Sequence, residues 1–308
     1  MPLRVVGYDP GTRNSKAAVL EKDGSGWILQ SAAFGPAQDP KAFWEASKLP
    51  RGTLCVAAGA QAFTLREIRH PLKDPEKIAQ TVRYEAEPYL SASLDQSLLQ
   101  YRILGESDGG ARVLLLALPK ERMRALLEGW KAAGLDPRAV SADATSLWNA
   151  FSAFGPKGES PVTLLDLGAQ KTVLAVFQAG ELRLLRVLRV GLGAPPEGTD
   201  PVEALTASAD ILAQEARRSW ANVGVEEKLS QVLLTGGGAL HPAFPHLLEE
   251  RFRCPVGRFR FLDQIRHSLP EDRAEAFEAL GAAAVGAALS AADRDATGID
   301  FRIEEFRY

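Results

Sequence analysis

The stretch GYDPGTRNSK, which runs from Gly7 to Lys16, decides the fold. It follows a predicted strand over Leu3–Tyr8 and places an acidic residue, Asp9, before a glycine turn with hydroxyl and cationic side chains. The backbone N–H groups of such a turn can surround phosphate oxygens, and a carboxylate at the strand end can hold Mg²⁺ through water. Taken alone, the stretch is better explained as an ordinary β-hairpin, because turns favour Asp, Gly and Asn for backbone reasons.

Two further motifs change that interpretation. LDLGAQKT, from Leu165 to Thr172, repeats the design of strand, Asp, Gly, short polar turn and strand. LLTGGGAL, from Leu233 to Leu240, is an apolar strand followed by three glycines, where backbone without Cβ atoms can approach a flat ring or a ribose. A triple glycine by itself is better explained as a flexible loop. Two Asp-Gly turns that open the two halves of one chain, however, predict a pair of hairpins that clamp nucleotide phosphates across a cleft.

Composition supports two globular lobes. The 308 residues are 46% hydrophobic and 24% charged, and at about 150 residues per domain they suffice for two domains with a core each. The net charge is −3 without long runs of one sign, so nucleic acid is not an expected partner. Cys55 and Cys254 show neither zinc spacing nor a disulfide pattern, which suits a reducing cytoplasm. No export signal is visible, and the Ala-rich stretch Leu280–Ala292 is too short to span a bilayer.

Turn and linker residues divide the chain. GPKGESP, residues 155–161, is the clearest linker, so we expect a first lobe over residues 1–160 and a second over residues 161–297. Within the first lobe, residues 63–137 read as strand, helix, two strands and helix, which is typical of an inserted α+β unit. We expect the second lobe to end in one helix near Arg273–Ala292, followed by a tail over residues 298–308.

The three motifs, in this order and spacing, resemble those of the actin/hexokinase/Hsp70-like ATPases, an α/β superfamily with duplicated ribonuclease H-like lobes. Within that superfamily the inserted unit resembles the PilM/GspL family of type IV pilus and type II secretion proteins. The resemblance covers nearly the whole chain, and it implies an FtsA-like arrangement in which an inserted α+β subdomain replaces the usual actin subdomain at one corner. The similar stretches of the inserted unit are Phe63–Pro71, Ile78–Leu90, Leu114–Lys120 and Ala133–Pro137.

The resemblance also implies cofactors and site residues. ATP with Mg²⁺ would lie in the cleft, with hydrolysis weak or absent. Glu215 and Arg218 would lie beside the adenosine, although a solvated charged face explains either residue equally well. Lys171 stands where small hydroxyl residues are common in the family, and Pro10 stiffens the first turn, so both predict weaker nucleotide binding. The implied phosphate ligands are Asp9, Gly11, Thr12, Ser15 and Lys16 in the first turn and Asp166, Gly168, Lys171 and Thr172 in the second; Asp9 and Asp166 would hold the metal, and Gly236, Gly237 and Gly238 would face ribose and adenine.

The tail, Ile299–Tyr308, is rich in aromatic and charged residues. Terminal residues are usually disordered, but aromatic side chains in a disordered segment would make no packing contacts. In GspL-type proteins a similar segment follows the actin-like domain and precedes a transmembrane helix, and in pilus systems the equivalent motif belongs to PilN and docks in a groove of PilM. The resemblance implies that residues 299–308 dock in a groove of this chain or of a neighbouring copy. It also raises the expectation that the chain is a cytoplasmic piece of a longer membrane protein.

The sequence is compatible with three functions. The resemblance favours a scaffold at the cytoplasmic face of the inner membrane, which binds PilN-like or GspM-like proteins and a secretion or assembly ATPase, either as a single copy or as a homodimer. The alternative is a small-molecule kinase of the same fold, acting on a sugar or an acid, although the sequence shows no acidic base in a sugar-kinase motif. The third is an FtsA-like filament former, but the tail lacks the amphipathic membrane helix of those proteins.

Overall fold

The computed structural model describes residues 3–24, 26–36, 39–195, 197–225, 229–292 and 294–308. Its strands form three sheets, of six, five and three strands. The strands are β1 (Arg4–Asp9), β2 (Asn14–Asp23), β3 (Gly26–Pro36), β4 (Thr53–Ala58), β5 (Thr64–His70), β6 (Ser97–Ser107), β7 (Gly110–Pro119), β8 (Ala139–Ala142), β9 (Val162–Leu167), β10 (Thr172–Gln178), β11 (Glu181–Leu188), β12 (Gln231–Thr235), β13 (Val256–Arg258) and β14 (Arg266–His267). The helices are α1 (Pro40–Ser47), α2 (Pro75–Ala86), α3 (Lys120–Ala132), α4 (Asp143–Phe154), α5 (Pro201–Val223), α6 (Phe244–Phe252), α7 (Glu271–Leu280) and α8 (Ala282–Leu289).

The six-stranded sheet belongs to the first lobe and has the order β14-β3-β2-β1-β4-β8. β1, β2 and β3 form an antiparallel meander, and β4 lies parallel to β1 on its other side. β1 and β4 are buried along nearly their whole length, as expected for central strands that are apolar on both faces. The hairpin between β1 and β2 places Asp9 directly opposite Lys16.

The five-stranded sheet of the second lobe repeats this layout in the order β11-β10-β9-β12-β13. β9, β10 and β11 form the antiparallel meander, and β12 lies parallel to β9. Asp9 at the end of β1 and Asp166 near the end of β9 therefore occupy corresponding positions. The two Asp-Gly turns of the sequence are the first hairpins of two sheets with the same topology.

The third sheet is inserted between β4 and β8 and has the antiparallel order β5-β7-β6. α2 begins at Asp74, whose carboxylate accepts two N–H groups of the first helical turn. The helix buries Ile78, Val82 and Ala86 in a small core that it shares with β5 and β7. This α+β unit lies within the residues 63–137 that the sequence assigns to the insertion.

The end of the chain differs from the expected second lobe, residues 161–297. In place of one helix near Arg273–Ala292 there are two, α7 and α8, and a Cβ at Gly281 between them would overlap the ring of Phe277. α7 lies between the sheets and contacts both β12 of the second and β3 of the first, whereas α8 packs on β1, β2 and β4 and along α4. β14 also joins the first sheet by pairing with β3. The chain returns to the first lobe because α8 is apolar all round and every one of its residues is buried, so other elements have to surround it.

The tail packs against its own chain. Ile299 and Phe301 are fully buried, and the ring of Phe301 lies 5.0 Å from that of Phe63. The N–H of Phe301 donates to the carbonyl oxygen of Val140 in β8 at 2.8 Å, and the N–H of Val140 donates to the carboxylate of Asp300 at 3.0 Å. Further along the tail, ion pairs join it to α3 and the loop after it; they are Lys120–Glu304 at 2.7 Å, Lys120–Glu305 at 3.1 Å, Arg124–Glu305 at 3.4 Å and Arg302–Asp136 at 3.2 Å.

Within the described parts of the chain, no helix is both long enough and apolar enough to cross a membrane.

Candidate functional site

A cavity of about 370 Å³ lies between the two lobes, where the first hairpins of the two sheets meet. All three glycine-bearing motifs of the sequence contribute to its wall. Its lining also includes residues of the β4–β5 connection and the first residue of α4. The lining residues are Asp9, Gly11, Thr12, Arg13, Asn14, Lys16, Gly59, Gln61, Asp143, Asp166, Leu167, Gly168, Ala169, Lys171, Leu192, Gly236, Gly237, Gly238, Leu240 and Leu280.

The first turn holds the carboxylate of Asp9 from two sides. One carboxylate oxygen accepts the N–H of Gly11 at 2.8 Å, and the other lies 2.7 Å from the ammonium nitrogen of Lys16. Gly11 has a φ of +54°, a conformation that a side chain would strain. Both carboxylate oxygens of the buried Asp9 therefore have a partner, and the ion pair with Lys16 joins the two ends of the turn.

The second turn reaches across the cleft. The N–H of Gly168 donates to the carbonyl oxygen of Lys171 at 3.0 Å, which closes the turn, and the ammonium group of Lys171 forms an ion pair with Asp143. Asp143 is the first residue of α4 and directly follows the first-lobe strand β8. The Lys171–Asp143 pair therefore links the two lobes.

Asp143 is a cleft residue that the sequence reasoning missed. Its second carboxylate oxygen accepts the N–H of Ala60 at 2.9 Å, so it also ties α4 to the β4–β5 connection. The signal that would have found it is the one used for Asp9, an acidic residue at the end of an apolar strand. Arg13 and Gln61 were missed as well, and no pattern of residue types marks either of them.

Burial and charge shift the titration of the cleft groups. Burial raises the pKa of the Asp166 carboxyl to about 6, and the nearby Lys16 opposes this rise. Burial likewise raises the pKa of Asp143, and Lys171 opposes it. The pKa of Lys16 is raised, because the charge and hydrogen bond of Asp9 outweigh burial, which acts to lower it.

The triple glycine forms the third wall of the cavity. Gly236 has a φ of +84°, its N–H donates to the carbonyl oxygen of Ala279 at 2.6 Å, and a Cβ there would overlap the carboxylate of Asp166. A Cβ at Gly238 would overlap Leu167 and Leu192, so this glycine allows close packing inside the second lobe. At Gly237 the nearest atom to a Cβ is a methyl of Leu280 at 3.9 Å. Gly237 therefore leaves space toward the cavity.

The structure brings most of the predicted site residues to one cavity and leaves four outside it. Ser15 is fully buried below the turn, where its hydroxyl accepts from Tyr8 and donates to the carbonyl oxygen of Pro10, both at 3.1 Å. The residues at the cavity are Asp9, Gly11, Thr12, Lys16, Asp166, Gly168, Lys171, Gly236, Gly237 and Gly238.

The other three predicted residues lie on the far side of the second turn or on α5. Thr172 is buried and donates its hydroxyl hydrogen to the carbonyl oxygen of Val190 at 2.8 Å. Glu215 and Arg218 form an ion pair with each other at 2.9 Å on α5, and Glu215 lines a different groove. Neither residue lines the cleft cavity, and their place beside the adenosine stays a prediction.

The donor set at the cavity fits a hydrated magnesium ion at Asp166. A buried carboxylate without a hydrogen-bond donor favours a cation, and none of the described residues donates a hydrogen bond to Asp166. Both oxygens of Asp9 are engaged, so its role as a metal ligand stays a prediction. The described residues contain no group of three or more acidic, His or Cys side chains placed to hold a metal, so phosphate and water would supply the remaining ligands.

Comparison with solved structures identifies the fold. A PilM–PilN type IV pilus biogenesis complex contains a chain with a TM-score of 0.78 and 19% identity, and the match covers 93% of this chain and 98% of that one. A Bacteroides thetaiotaomicron protein described as having the actin-like ATPase fold and unknown function matches with a TM-score of 0.51 and 11% identity, over 85% of this chain and 92% of that one. The chain has the actin-like ATPase fold.

A third solved structure extends the likeness of this actin-like chain to a secretion protein. The cytoplasmic domain of EpsL, an inner-membrane component of the type II secretion system of Vibrio cholerae, matches with a TM-score of 0.52 and 13% identity, over 99% of this chain and 100% of that domain. The fold expected from the resemblance to the PilM/GspL family is thereby confirmed. No protein-family model and no curated protein matches the sequence.

Proposed function

We propose that this actin-like chain is a nucleotide-binding platform of a type IV pilus or type II secretion complex, placed at the cytoplasmic face of the inner membrane. In this role it holds partner proteins through grooves beside the inserted subdomain. The partners we propose are a PilN-like or GspM-like inner-membrane protein and a secretion or assembly ATPase. A homodimer is compatible with the same role.

The observation that carries the proposal is the extent of the likeness to the PilM–PilN structure. The inserted unit, residues 63–137, makes up about a quarter of the chain, so a match that covers 93% of the chain has to include most of this unit. The insertion lies between β4 and β8 along the chain, although these two strands are neighbours in the first sheet, and its own sheet has a separate small core. A separately folded unit at one corner suits partner recognition, because it adds surface without entering the cleft.

In the cleft, we propose that the two Asp-Gly turns hold the phosphates and that the triple glycine faces the ribose and the base. Lys16 and Arg13 offer positive charge to the phosphates. Asp166 would hold the hydrated Mg²⁺ that neutralises them. Gly237, which has open space beside it, marks the place where the flat part of the ligand would approach the backbone.

A labelled-ATP assay with a panel of sugars and small acids separates the platform from the kinase. A kinase needs a carboxylate that is free to accept a hydroxyl proton near the phosphate. Asp9 and Asp143 are each paired with a lysine, and Asp166 is the proposed ligand of the magnesium ion, so the platform proposal predicts no phosphorylated product with any member of the panel. Transfer of the label to a sugar or an acid would overturn it.

Co-purification tests the partner role directly. The chain is co-expressed with the cytoplasmic segment of a PilN-like or GspM-like protein from the same genome, and each carries a different affinity tag. The proposal predicts a stable complex after two purification steps. Separate elution of the two proteins from size-exclusion chromatography, with both of them folded, contradicts it.

A further inference from the structure

A second groove, of about 1040 Å³, lies between the inserted subdomain and the second lobe. It is bounded by β5 on one side and β11 on the other, and we call it the β5–β11 groove. It shares Phe63 with the surface that the tail covers, but β8 and α3, which form the rest of that surface, do not line it. Only the part near Ala60 and Gln61 approaches the cleft cavity.

Both strands that bound the β5–β11 groove are the outermost strands of their sheets. Among the described residues, β5 pairs only with β7, and β11 pairs only with β10. Parts of the two strands pack directly against each other. Arg112 of β7 adds a bridge, because its guanidinium donates to the carbonyl oxygen of Arg183 and pairs with Glu67 at 2.7 Å. Unpaired backbone N–H and C=O groups at such edges form a template for one more strand.

The groove is positively charged, although the chain as a whole has a net charge of −3. Its two acidic residues are already neutralised, since Glu67 pairs with Arg112 and Glu215 pairs with Arg218. Five arginines line the groove, and they are Arg66, Arg69, Arg112, Arg186 and Arg189.

Two of these arginines have no partner within the described part of the chain. Arg69 on β5 and Arg189 just after β11 are exposed, and neither forms a hydrogen bond or an ion pair there. Arg66, also exposed on β5, stacks its guanidinium 5.6 Å from the ring centre of Tyr89. Arginine in such a position favours carboxylate ligands, because its planar fork matches the two carboxylate oxygens.

We propose that the β5–β11 groove binds an extended acidic segment of a partner protein, which adds as a strand to β5. Because Arg66 and Arg69 lie on opposite faces of β5, the segment carries carboxylates on both of its faces, one set against Arg66 and the other against Arg69, with Arg189 across the groove. β5 has seven residues, and at about 3.3 Å per residue it offers an edge of about 23 Å for a segment of similar length. Backbone pairing supplies the affinity, and the arginines select the acidic side chains. The proposal deepens the platform role and rests on it, because it names the surface and the chemistry of one partner.

The test uses the full chain and a fluorescein-labelled peptide in which pairs of Glu alternate with pairs of Val, so that both faces of the strand carry carboxylates. A peptide of Lys pairs and Val pairs is the charge-reversed control. Fluorescence anisotropy should show saturable binding of the acidic peptide alone. The substitution pair Arg66→Glu/Arg69→Glu should weaken this binding at least about tenfold, because attraction becomes repulsion. The matched pair Lys41→Glu/Arg122→Glu, at exposed positions away from the groove, should leave it within about twofold.

A second peptide and a milder variant keep the result interpretable. Methylation of alternate backbone nitrogens removes the N–H groups needed for pairing, so it should abolish binding while the charge stays the same. Arg66→Gln/Arg69→Gln should weaken binding less than the Glu pair but more than the control pair. Absence of saturable binding, equal affinity in the groove and control variants, or unchanged affinity of the methylated peptide would overturn the proposal.

Self-association is a separate outcome. If sedimentation shows a dimer of the unmodified chain that Arg66→Glu/Arg69→Glu dissociates, the occupant is a second copy, and the proposal of a partner segment is wrong. Failure of the peptide to bind leaves the co-purification test of the platform untouched, because a partner can use the surface near the tail. The two proposals therefore fail independently.

Discussion

Six ionisable side chains line the described cleft, and they are three carboxylates, two ammonium groups and the guanidinium of Arg13. Asp9 pairs with Lys16 within the first lobe, and Asp143 pairs with Lys171 between the lobes. Asp166 is the carboxylate left without a hydrogen-bond donor among the described residues. Asp166 is therefore the carboxylate of this cluster whose oxygens are available to a bound cation.

Asp166→Asn should stabilise the chain at neutral pH in the absence of metal and nucleotide. Burial raises the pKa of Asp166 from 3.8 to about 6, so between these pH values the folded state binds more protons than the unfolded state. The stability that this group contributes is present at low pH and is lost as the pH rises from about 4 to 6. Because the side chain faces the cavity and is partly screened, we expect Asp166→Asn to raise the free energy of unfolding by about 1–2 kcal/mol at about pH 7.5.

Urea unfolding at a series of pH values measures the effect of Asp166→Asn. The gain should disappear near pH 4, where the carboxyl is protonated in the folded state. Asp108→Asn, at an exposed turn, is the matched control and should change nothing. A gain that is the same at both ends of the pH range would contradict the assignment.

Lys171→Met should destabilise the chain, because it leaves Asp143 buried without its counter-charge. Removing one partner of a buried ion pair costs about 3 kcal/mol. Adding Asp143→Asn to this variant should recover part of the loss, since the uncompensated charge is then gone. Urea unfolding of the two single variants and the double variant forms a double-mutant cycle, and strictly additive losses would show that the two residues do not interact.

The sequence predicts the parts of the cleft that are local and fails where distant segments meet. Asp9, Gly11 and Lys16 lie in one hairpin, so their proximity follows from the turn itself. The contact of Lys171 with Asp143 depends on how the second lobe sits against α4, which no local pattern encodes. Ser15 was misplaced for a related reason, because the hydroxyl has a buried partner in Tyr8 that the turn pattern does not reveal.

At the scale of elements, the contact of α8 with α4 holds the middle of the first lobe together. α8 consists almost entirely of Ala and Gly, so α4 approaches it closely. A Cβ at Gly286 would overlap the carbonyl oxygen of Ser146 in α4, and one at Gly7 in β1 would overlap the carbonyl oxygen of Ala284 in α8. Small residues are thus required on both sides of this helix.

Gly286→Ala should destabilise the chain even though alanine favours helices. The added methyl group has to push α8 away from α4, which costs about 1–3 kcal/mol. Gly129→Ala in α3 is the matched control, because a Cβ there has nothing within 4 Å, and this change should stabilise by about 0.5–1 kcal/mol. Thermal and urea unfolding measure both; stabilisation by both substitutions would rule out the close contact.

Long elements with a clear apolar period could be predicted from the sequence, whereas very short strands and the break between α7 and α8 could not. The meander strands have the alternating or continuous apolar runs of half-buried and buried strands, and they lie where the sequence places them. β13 and β14 have three and two residues, too few for any period to show. The break between α7 and α8 was missed because the Ala-rich sequence satisfies a helical period on both sides of Gly281, and only the packing of α8 on the first sheet requires the turn.

In the molecule as a whole, α7, α8 and the tail connect the two lobes and the inserted unit. α7 contacts both sheets, α8 packs on the first, and the tail spans β8, α3 and Phe63. The repeated Asp-Gly turns predict two lobes. They do not predict that the chain returns from the second lobe to the first, because this return depends on which surface α8 packs against.

Phe301→Ala should show how strongly the tail is bound. The ring of Phe301 is fully buried against Phe63, so its loss should cost about 3 kcal/mol of unfolding free energy. Tyr308→Ala serves as the comparison, since that ring is 66% exposed and lies beside the guanidinium groups of Arg138 and Arg302, and we expect a cost below about 1 kcal/mol. Equal and small effects of the two substitutions on the urea midpoint would show that, in solution, the tail does not pack against the rest of the chain.

The central claim is that the cleft between the lobes is a nucleotide site, and calorimetric titration of Mg²⁺–ATP tests it most directly. We predict one binding site on the unmodified chain, at least about tenfold weaker binding in Gly237→Leu, where the new side chain fills the cavity, and unchanged binding in the control Gly257→Leu on exposed β13. Absence of binding heat with the unmodified chain, or equal affinity in Gly237→Leu, would contradict the claim.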